Sequence, residues 1–504
     1  MNVQSAITNE LFLKRIPERE LSSRQKELRK QFFGDDYICP YLYQWLRKPT
    51  HFEDIDWEEY DEIMIWCENE TFFLLWYDAL YKTRPATFSI INESERFVLN
   101  CFIHGESHTA IADTTTFFLS LKYRTNTITS LRVNSYIIDD EEGSILDFSS
   151  LSPEQLARIL DANPSRHLEL QTGSWSIEQS TILATRPYPL ILKIVRCSGF
   201  AFQDDGVAFV SALGRRHTPF GSLDIECNTD GLPFCRHSLQ RLFKLENMFD
   251  KLTLCELDEE SALLPLSAKV KALDYRMDEK YFQLNSFDSL FIAPMDLDLR
   301  IVMNDESDWT ILLISLLNRV AELGHFAKLG ISIWKRGQHE FEHLKTKKHH
   351  LVADALVNAI AANPRLSCLD LSGTSFPPDL GPYLRNVFQA MEDHSSLCLF
   401  KIETYPRTAD PNYSWLERLL SRNRNMIVLS SWNQKFTNGA SIDKMYALNH
   451  FFRGSADLII EHPLSRSSLI GTTLVESAST NFQYIALLLS DHTDVLLEWI
   501  DDLI

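Results

Sequence analysis

The sequence predicts an α/β solenoid, in which short parallel strands alternate with helices in units of roughly 29 residues, and two observations predict it. Leu366 to Phe376, LSCLDLSGTSF, spaces Leu366, Leu369, Leu371, Thr374 and Phe376 as a short strand running into a descending loop. Just before it, Leu351, Ala355, Leu356, Ala359 and Ile360 recur at three- and four-residue steps, one face of a helix that Asn363-Pro364 stops. One helix and one strand make one unit, and diverged copies recur along the chain.

Ala162-Asn163-Pro164 punctuates an earlier helix and precedes Leu168 and Leu170, as Ala362-Asn363-Pro364 precedes Leu369 and Leu371. FGSLDIECN carries Phe220, Leu223, Ile225 and Asn228 at the full spacing. Further strands are expected at Ile128-Leu131-Val133, Leu192-Ile194, Phe249-Leu252-Leu254, Val270-Leu273-Tyr275, Phe326-Leu329-Ile331 and Leu397-Phe400-Ile402. Leu131, Leu168, Leu192, Leu223 and Leu252 stand 37, 24, 31 and 29 residues apart, which leaves room for a helix in each unit. Start signals mark those helices: Ser152-Pro153-Glu154-Gln155 is an N-cap, a first-turn proline and a capping-box glutamine, Ser176 and Gln179 repeat the device, and Asp204-Asp205 precedes Ala208 to Leu213.

The L-x-x-L-x-L-x-x-N-x-L spacing with a long, helix-bearing period resembles the leucine-rich repeats of the ribonuclease-inhibitor-like class. That resemblance implies a horseshoe with parallel strands on the concave face and helices on the convex face. The ending, YALNHFFRGS followed by NFQYIALLLSDHTDVL, is similar to that of eukaryotic leucine-rich-repeat proteins without an assigned activity, and so implies architecture and no catalytic residue.

Three regions are expected: a cap or recruitment module over 1–90, the solenoid over 91–435, and a cap over 436–504. The first is aromatic-rich, with Trp45, Trp57, Trp66 and Trp76 near Tyr37, Tyr41, Tyr43, Phe72 and Phe73, and reads as mostly helical, with the acidic, aromatic FEDIDWEEYDEIMIW as a docking element. The last reads as helical, with Val495, Leu496, Trp499 and Ile500 on one face of its final helix.

Composition narrows the function classes. A net charge of -20 argues against a nucleic-acid partner, since phosphate contacts need clustered Lys and Arg, and favours a protein partner with a basic surface. No apolar run approaches the roughly 18 residues that span a bilayer, and MNVQSAITNELFLKRIPERE has no apolar signal core. Nine cysteines, scattered and without a C-x-x-C pair, point to reduced thiols in the cytoplasm or nucleus.

One motif speaks for catalysis. His339-Glu340-Phe341-Glu342-His343 is a literal H-E-x-x-H, and His349 stands at the spacing of a third zinc ligand. Thr346 occupies the glycine position of the longer pattern, and Glu342, Lys345, Lys347 and Lys348 charge the segment all round. From Leu329 to Leu369 is 40 residues, so the motif falls in a hydrophilic insertion between a strand and its helix. A zinc metallopeptidase is therefore the alternative, and a non-enzymatic scaffold without cofactor or metal the expectation. On such a scaffold the residues between and just after the strand leucines face the partner: Arg132, Asn134, Glu169, Gln171, Lys193, Asp224, Glu226, Thr253, Glu256, Ser332, Asp370, Ser372 and Lys401.

Overall fold

In the computed structural model, the described residues are 9–33, 41–60, 62–77, 86–92, 97–124, 128–133, 148–195, 199–226, 232–281, 283, 286–304, 308–335, 348–374, 381–461, 466–477 and 482–501. The chain divides into two compact units, Met1–Leu273 and Asp274–Ile504. The first combines antiparallel and parallel strand pairs with helices, and in the second the strand pairing described is parallel.

The first unit opens with β1 (Leu13–Arg15), α1 (Ser23–Phe33), β2 (Leu42–Trp45), β3 (Glu62–Trp66), β4 (Phe72–Tyr77), β5 (Phe88–Asn92), β6 (Phe97–His104) and α2 (His108–Leu119). Strand β2 runs parallel to β3, whereas β3 with β4, β4 with β6 and β6 with β5 are antiparallel. This corrects the expectation of a mostly helical region over 1–90: five strands and one α-helix of three turns occupy its described part. Covering on both faces explains the difference. Met64, Phe72, Leu74, Trp76 and Phe102 share one apolar cluster with Leu21 and with Leu28 of α1. On the other face Phe73 and Phe88 meet Phe118 of α2, with ring centroids 5.4 and 6.0 Å apart. Strands covered on both sides become continuous apolar runs with no period-2 alternation, and clustered aromatics then give no sign of which element they form.

Strand β7 (Thr129–Val133) pairs antiparallel with β5, and from there the pairing turns parallel. The parallel run therefore begins at β7, not near residue 91. It continues through α3 (Pro153–Ala162), β8 (His167–Leu170), β9 (Gly173–Trp175), α4 (Ile177–Thr185), β10 (Leu190–Val195), β11 (Phe200–Phe202), α5 (Val207–Leu213), β12 (Gly221–Glu226), α6 (Arg236–Leu242) and β13 (Phe249–Leu254). Strands β7, β8, β10, β12 and β13 pair in that order, which brings Leu131, Leu168, Leu192, Leu223 and Leu252 opposite one another. All five leucines are buried. The helix signals act as the sequence implies: Ser152 Oγ accepts from Gln155 N–H while Gln155 Oε1 accepts from Ser152 N–H, and Ser176 and Gln179 do the same. Asp204 accepts from the Ala208 N–H at the head of α5. Gly221 has φ +108°, and a Cβ there would stand 2.4 Å from the Leu190 carbonyl, so only glycine lets β12 start beside β10.

The second unit contains β14 (Ala272–Asp278, which starts at the boundary), β15 (Asp296–Met303), α7 (Trp309–Leu323), β16 (Lys328–Lys335), α8 (His349–Ala362), β17 (Cys368–Leu371), α9 (Gly381–Glu392), β18 (Leu399–Ile402), α10 (Ser414–Arg422) and β19 (Ile427–Leu429). From β15 to β19 each strand is parallel to the next, which aligns Leu297, Leu329, Leu369, Phe400 and Val428 in one buried row. The helices cover that row; Phe388 of α9 meets Phe400 edge-on at 5.8 Å. Four helices follow, α11 (Ser441–Glu461), α12 (Arg466–Ser477), α13 (Phe482–Asp491) and α14 (Thr493–Asp501). Val495 is buried and Trp499 packs beneath it, but Ile500, expected on the same face, is 51% exposed.

Polar side chains after α3, α8 and β17 bond to backbone groups of segments that come before them in the chain. Asn163, at the C-terminus of α3, donates to Leu121 O at 2.8 Å and accepts from Tyr123 N–H at 3.1 Å. Asn363, fully buried after α8, donates to Ala359 O and Val320 O and accepts from Phe326 N–H at 2.9 Å. Thr374, three residues after Leu371, accepts from Ile333 N–H at 3.2 Å and donates to Ile331 O at 3.0 Å. Each side chain satisfies buried backbone groups where neither helix nor strand can.

Candidate binding face

Alternation along each strand buries the leucine row and leaves the intervening row half-exposed, as the sequence phase requires. In the first unit that second row brings Arg132, Glu169, Lys193, Asp224 and Thr253 side by side, one per strand. Arg132 Nε is 2.8 Å from Glu169 Oε1, which also accepts from Gln171 Nε2 at 2.8 Å. Lys193 Nζ lies 3.0 Å from Glu226 Oε1 and 3.9 Å from Asp224 Oδ2. Burial pulls the Lys193 pKa down, but the Glu226 hydrogen bond and the charges of Asp224, Glu226 and Glu169 together hold it above the ordinary lysine value. Glu226 is exposed, and Glu256 is half-buried just beyond β13. Asn134 lies outside the described residues.

In the second unit Asp370 and Lys401 stand opposite each other, with Nζ 3.6 Å from Oδ2. Asp370 Oδ1 also accepts from Ser372 N–H at 2.9 Å and from Ser372 Oγ at 2.6 Å. Ser332, within β16, faces Gly373 so closely that a Cβ on Gly373 would lie 1.9 Å from its Oγ, so β16 and the turn after β17 are fitted to each other.

Sequence reasoning missed Asp298 and Arg300 on β15. Arg300 pairs with Asp274 at 2.9 Å, and Lys328 of β16 pairs with Asp296 at 3.2 Å. The signal was present in DLDLRIVM, where Leu297, Leu299, Ile301 and Met303 alternate strictly with other residues. Trp334, at the end of β16 opposite Val302, adds an aromatic surface that is 47% exposed.

Cations in both units therefore sit against acids of a neighbouring strand. Such half-exposed pairs contribute roughly 0–1 kcal/mol each; their larger effect is to fix side-chain positions and cancel local charge. The chain's net charge of -20 is not concentrated in these rows.

His339, Glu340 and His343 lie outside the described residues, between β16 and α8. His349 is buried at the first position of α8, its ring stacked on Tyr383 with centroids 6.5 Å apart. Among the described residues no group of three or more His, Cys, Asp or Glu side chains is placed to hold a metal ion. Burial raises the Cys67 and Cys368 thiols to about 11 and pushes Cys101 well above its ordinary value, which keeps them from thiolate chemistry at neutral pH. No helix among the described residues is long and apolar enough to cross a membrane.

Together these features define a large α/β protein whose mostly parallel strands alternate with helices and present rows of paired polar side chains. No protein-family model matches the chain, and no curated protein matches it.

Proposed function

We propose that the chain is a non-enzymatic protein-binding scaffold, built as a leucine-rich-repeat solenoid of the ribonuclease-inhibitor-like class and acting in the cytoplasm or nucleus. One observation carries the reading: in the first unit β7, β8, β10, β12 and β13 each contribute one half-exposed polar side chain to a row held in register by the buried leucines beneath. A surface so ordered is preorganised, so a partner that docks on it does not have to freeze loose side chains first. Thr374 in the asparagine slot and the asparagine corners support the repeat reading, because a loop that descends from each strand needs a buried polar group to satisfy its backbone. The partner is a protein with a basic surface. Its attraction comes at long range from the net charge of the whole chain, since the rows themselves are locally neutral.

Affinity purification from native lysate with mass spectrometry tests the proposal when run on three chains: the unaltered protein, a Lys193→Glu, Lys401→Glu variant, and an Arg158→Ala variant altered on the exposed side of α3. Loss of the same proteins with the first variant only is the expected result. An identical set of captured proteins for all three chains would place binding elsewhere.

A further inference from the structure

The turn that leads into α11 holds Asn438-Gly439, the one Asn-Gly dipeptide in the sequence. The polar groups of that turn converge on the Asn438 amide. Asn438 Oδ1 accepts from the Ala440 N–H at 3.0 Å and from the Ile442 N–H at 3.2 Å, and its Nδ2 donates to Ser441 Oγ at 3.0 Å. The Gly439 N–H donates to Thr437 Oγ1 at 3.0 Å, and the Thr437 hydroxyl donates in turn to Asp443 Oδ1. Thr437, Asn438, Gly439 and Asp443 are exposed, so water reaches them, while Ile442 is fully buried and anchors the start of the helix behind them. Gly439 has φ +72° and nothing within 4 Å of where a Cβ would stand, so the turn is open on that side.

We propose that Asn438-Gly439 is a self-modifying site, at which the folded turn promotes succinimide formation and so converts Asn438 to aspartate or isoaspartate. The Gly439 nitrogen bonds to Asn438 Cγ as its proton passes to Thr437 Oγ1, and Thr437 gives its own proton to Asp443, which acts as general base through the hydroxyl. Negative charge gathers on Oδ1 during the attack, where two backbone N–H groups already point, so the bonds that cap α11 strengthen and need not break. The Cγ–Nδ2 bond then breaks, and the nitrogen leaves as ammonia with the proton that Asp443 took, returned through water. Water hydrolyses the ring at either carbonyl. One product is aspartate, which keeps the cap and adds a charge that the helix N-terminus favours. The other is isoaspartate, whose main chain runs through the former side chain and so withdraws the cap from Ala440 and Ile442.

Peptide mapping of the full chain during incubation at mildly alkaline pH tests this, with the guanidinium-unfolded chain as the reference for the same bond without its neighbours. Conversion adds about 1 Da to the peptide that holds Asn438. The folded chain is expected to convert about tenfold faster than the unfolded one, the modest share left to a positioned base that is exposed to water. In D443N the side-chain oxygen still accepts from Thr437 but takes no proton, so the turn is kept and the rate should fall to the unfolded value. T437V, which removes the middle of the relay, should do the same. Conversion no faster in the folded chain than in the unfolded one would mean that the cap shields Asn438 and would overturn the proposal, as would a D443N rate equal to that of the unaltered chain.

Discussion

Replacing Asn363 by alanine separates a structural corner from an idle one. The Asn363 side chain, with no exposed surface, makes three hydrogen bonds to backbone groups. The Val320 carbonyl keeps the Gly324 N–H when the amide is removed, but the Phe326 N–H, at the entry to β16, loses its acceptor. One orphaned buried N–H and two lost donors amount to about 3 kcal/mol. Asn163→Ala removes a similar pair of bonds at a half-buried site where water replaces them, so its cost should be about 1 kcal/mol. Urea unfolding followed by circular dichroism gives the totals, and exchange of the Phe326 amide gives the local effect without assuming that the two units unfold together. A smaller loss for Asn363→Ala than for Asn163→Ala, or no faster exchange at Phe326, would refute the corner as a source of stability.

Three further outcomes follow from the same geometry. Leu369→Asp puts an unpartnered charge into the buried row and should cost more than about 4 kcal/mol, whereas Asp370→Ala, half-exposed and held by Ser372 and Lys401, should cost no more than about 1 in the same melts. Burial opposes the charge on Asp410, but donors from Tyr405, Trp415 and Ser414 outweigh it and hold the carboxyl below its ordinary range; the contribution is present above about pH 4 and lost as the pH falls further, and Asp410→Asn should flatten that part of a stability-versus-pH curve. Iodoacetamide at mildly alkaline pH should label exposed Cys398 first and leave buried Cys67 and Cys101 protected, as peptide mapping would show; early labelling of Cys101 would mean that the β4–β6 pair opens readily.

How much of this was legible follows from where side chains are buried. From β7 onward most strands have one face against helices and one open, so their sequences alternate, and Leu131, Leu168, Leu192, Leu223, Leu252, Leu329 and Leu369 could be placed in phase from spacing alone. The helix signals were equally local: a serine, a proline and a glutamine within four residues settle the start of α3. The strands before β7 offered neither cue, because α1 and α2 cover them on both sides. Strand β15 alternates just as clearly, and Leu297 stands 24 residues after Leu273, the same step as from Leu168 to Leu192, so it too was legible in the sequence.

The polar row was legible as a set of positions but not as a set of charges in contact. Spacing says that Lys193 and Asp224 lie on the same side of their strands; only the register of β10 on β12 says that they lie opposite each other. That difference changes the functional argument. Isolated acids on an open face would draw a basic partner directly, whereas acids already bonded to the neighbouring strand's cations give it little net field. A partner that binds these rows must match their alternating signs at the strand spacing of about 4.8 Å. Salt should then slow its association, through the net charge of the chain, more than it speeds its release from the paired rows.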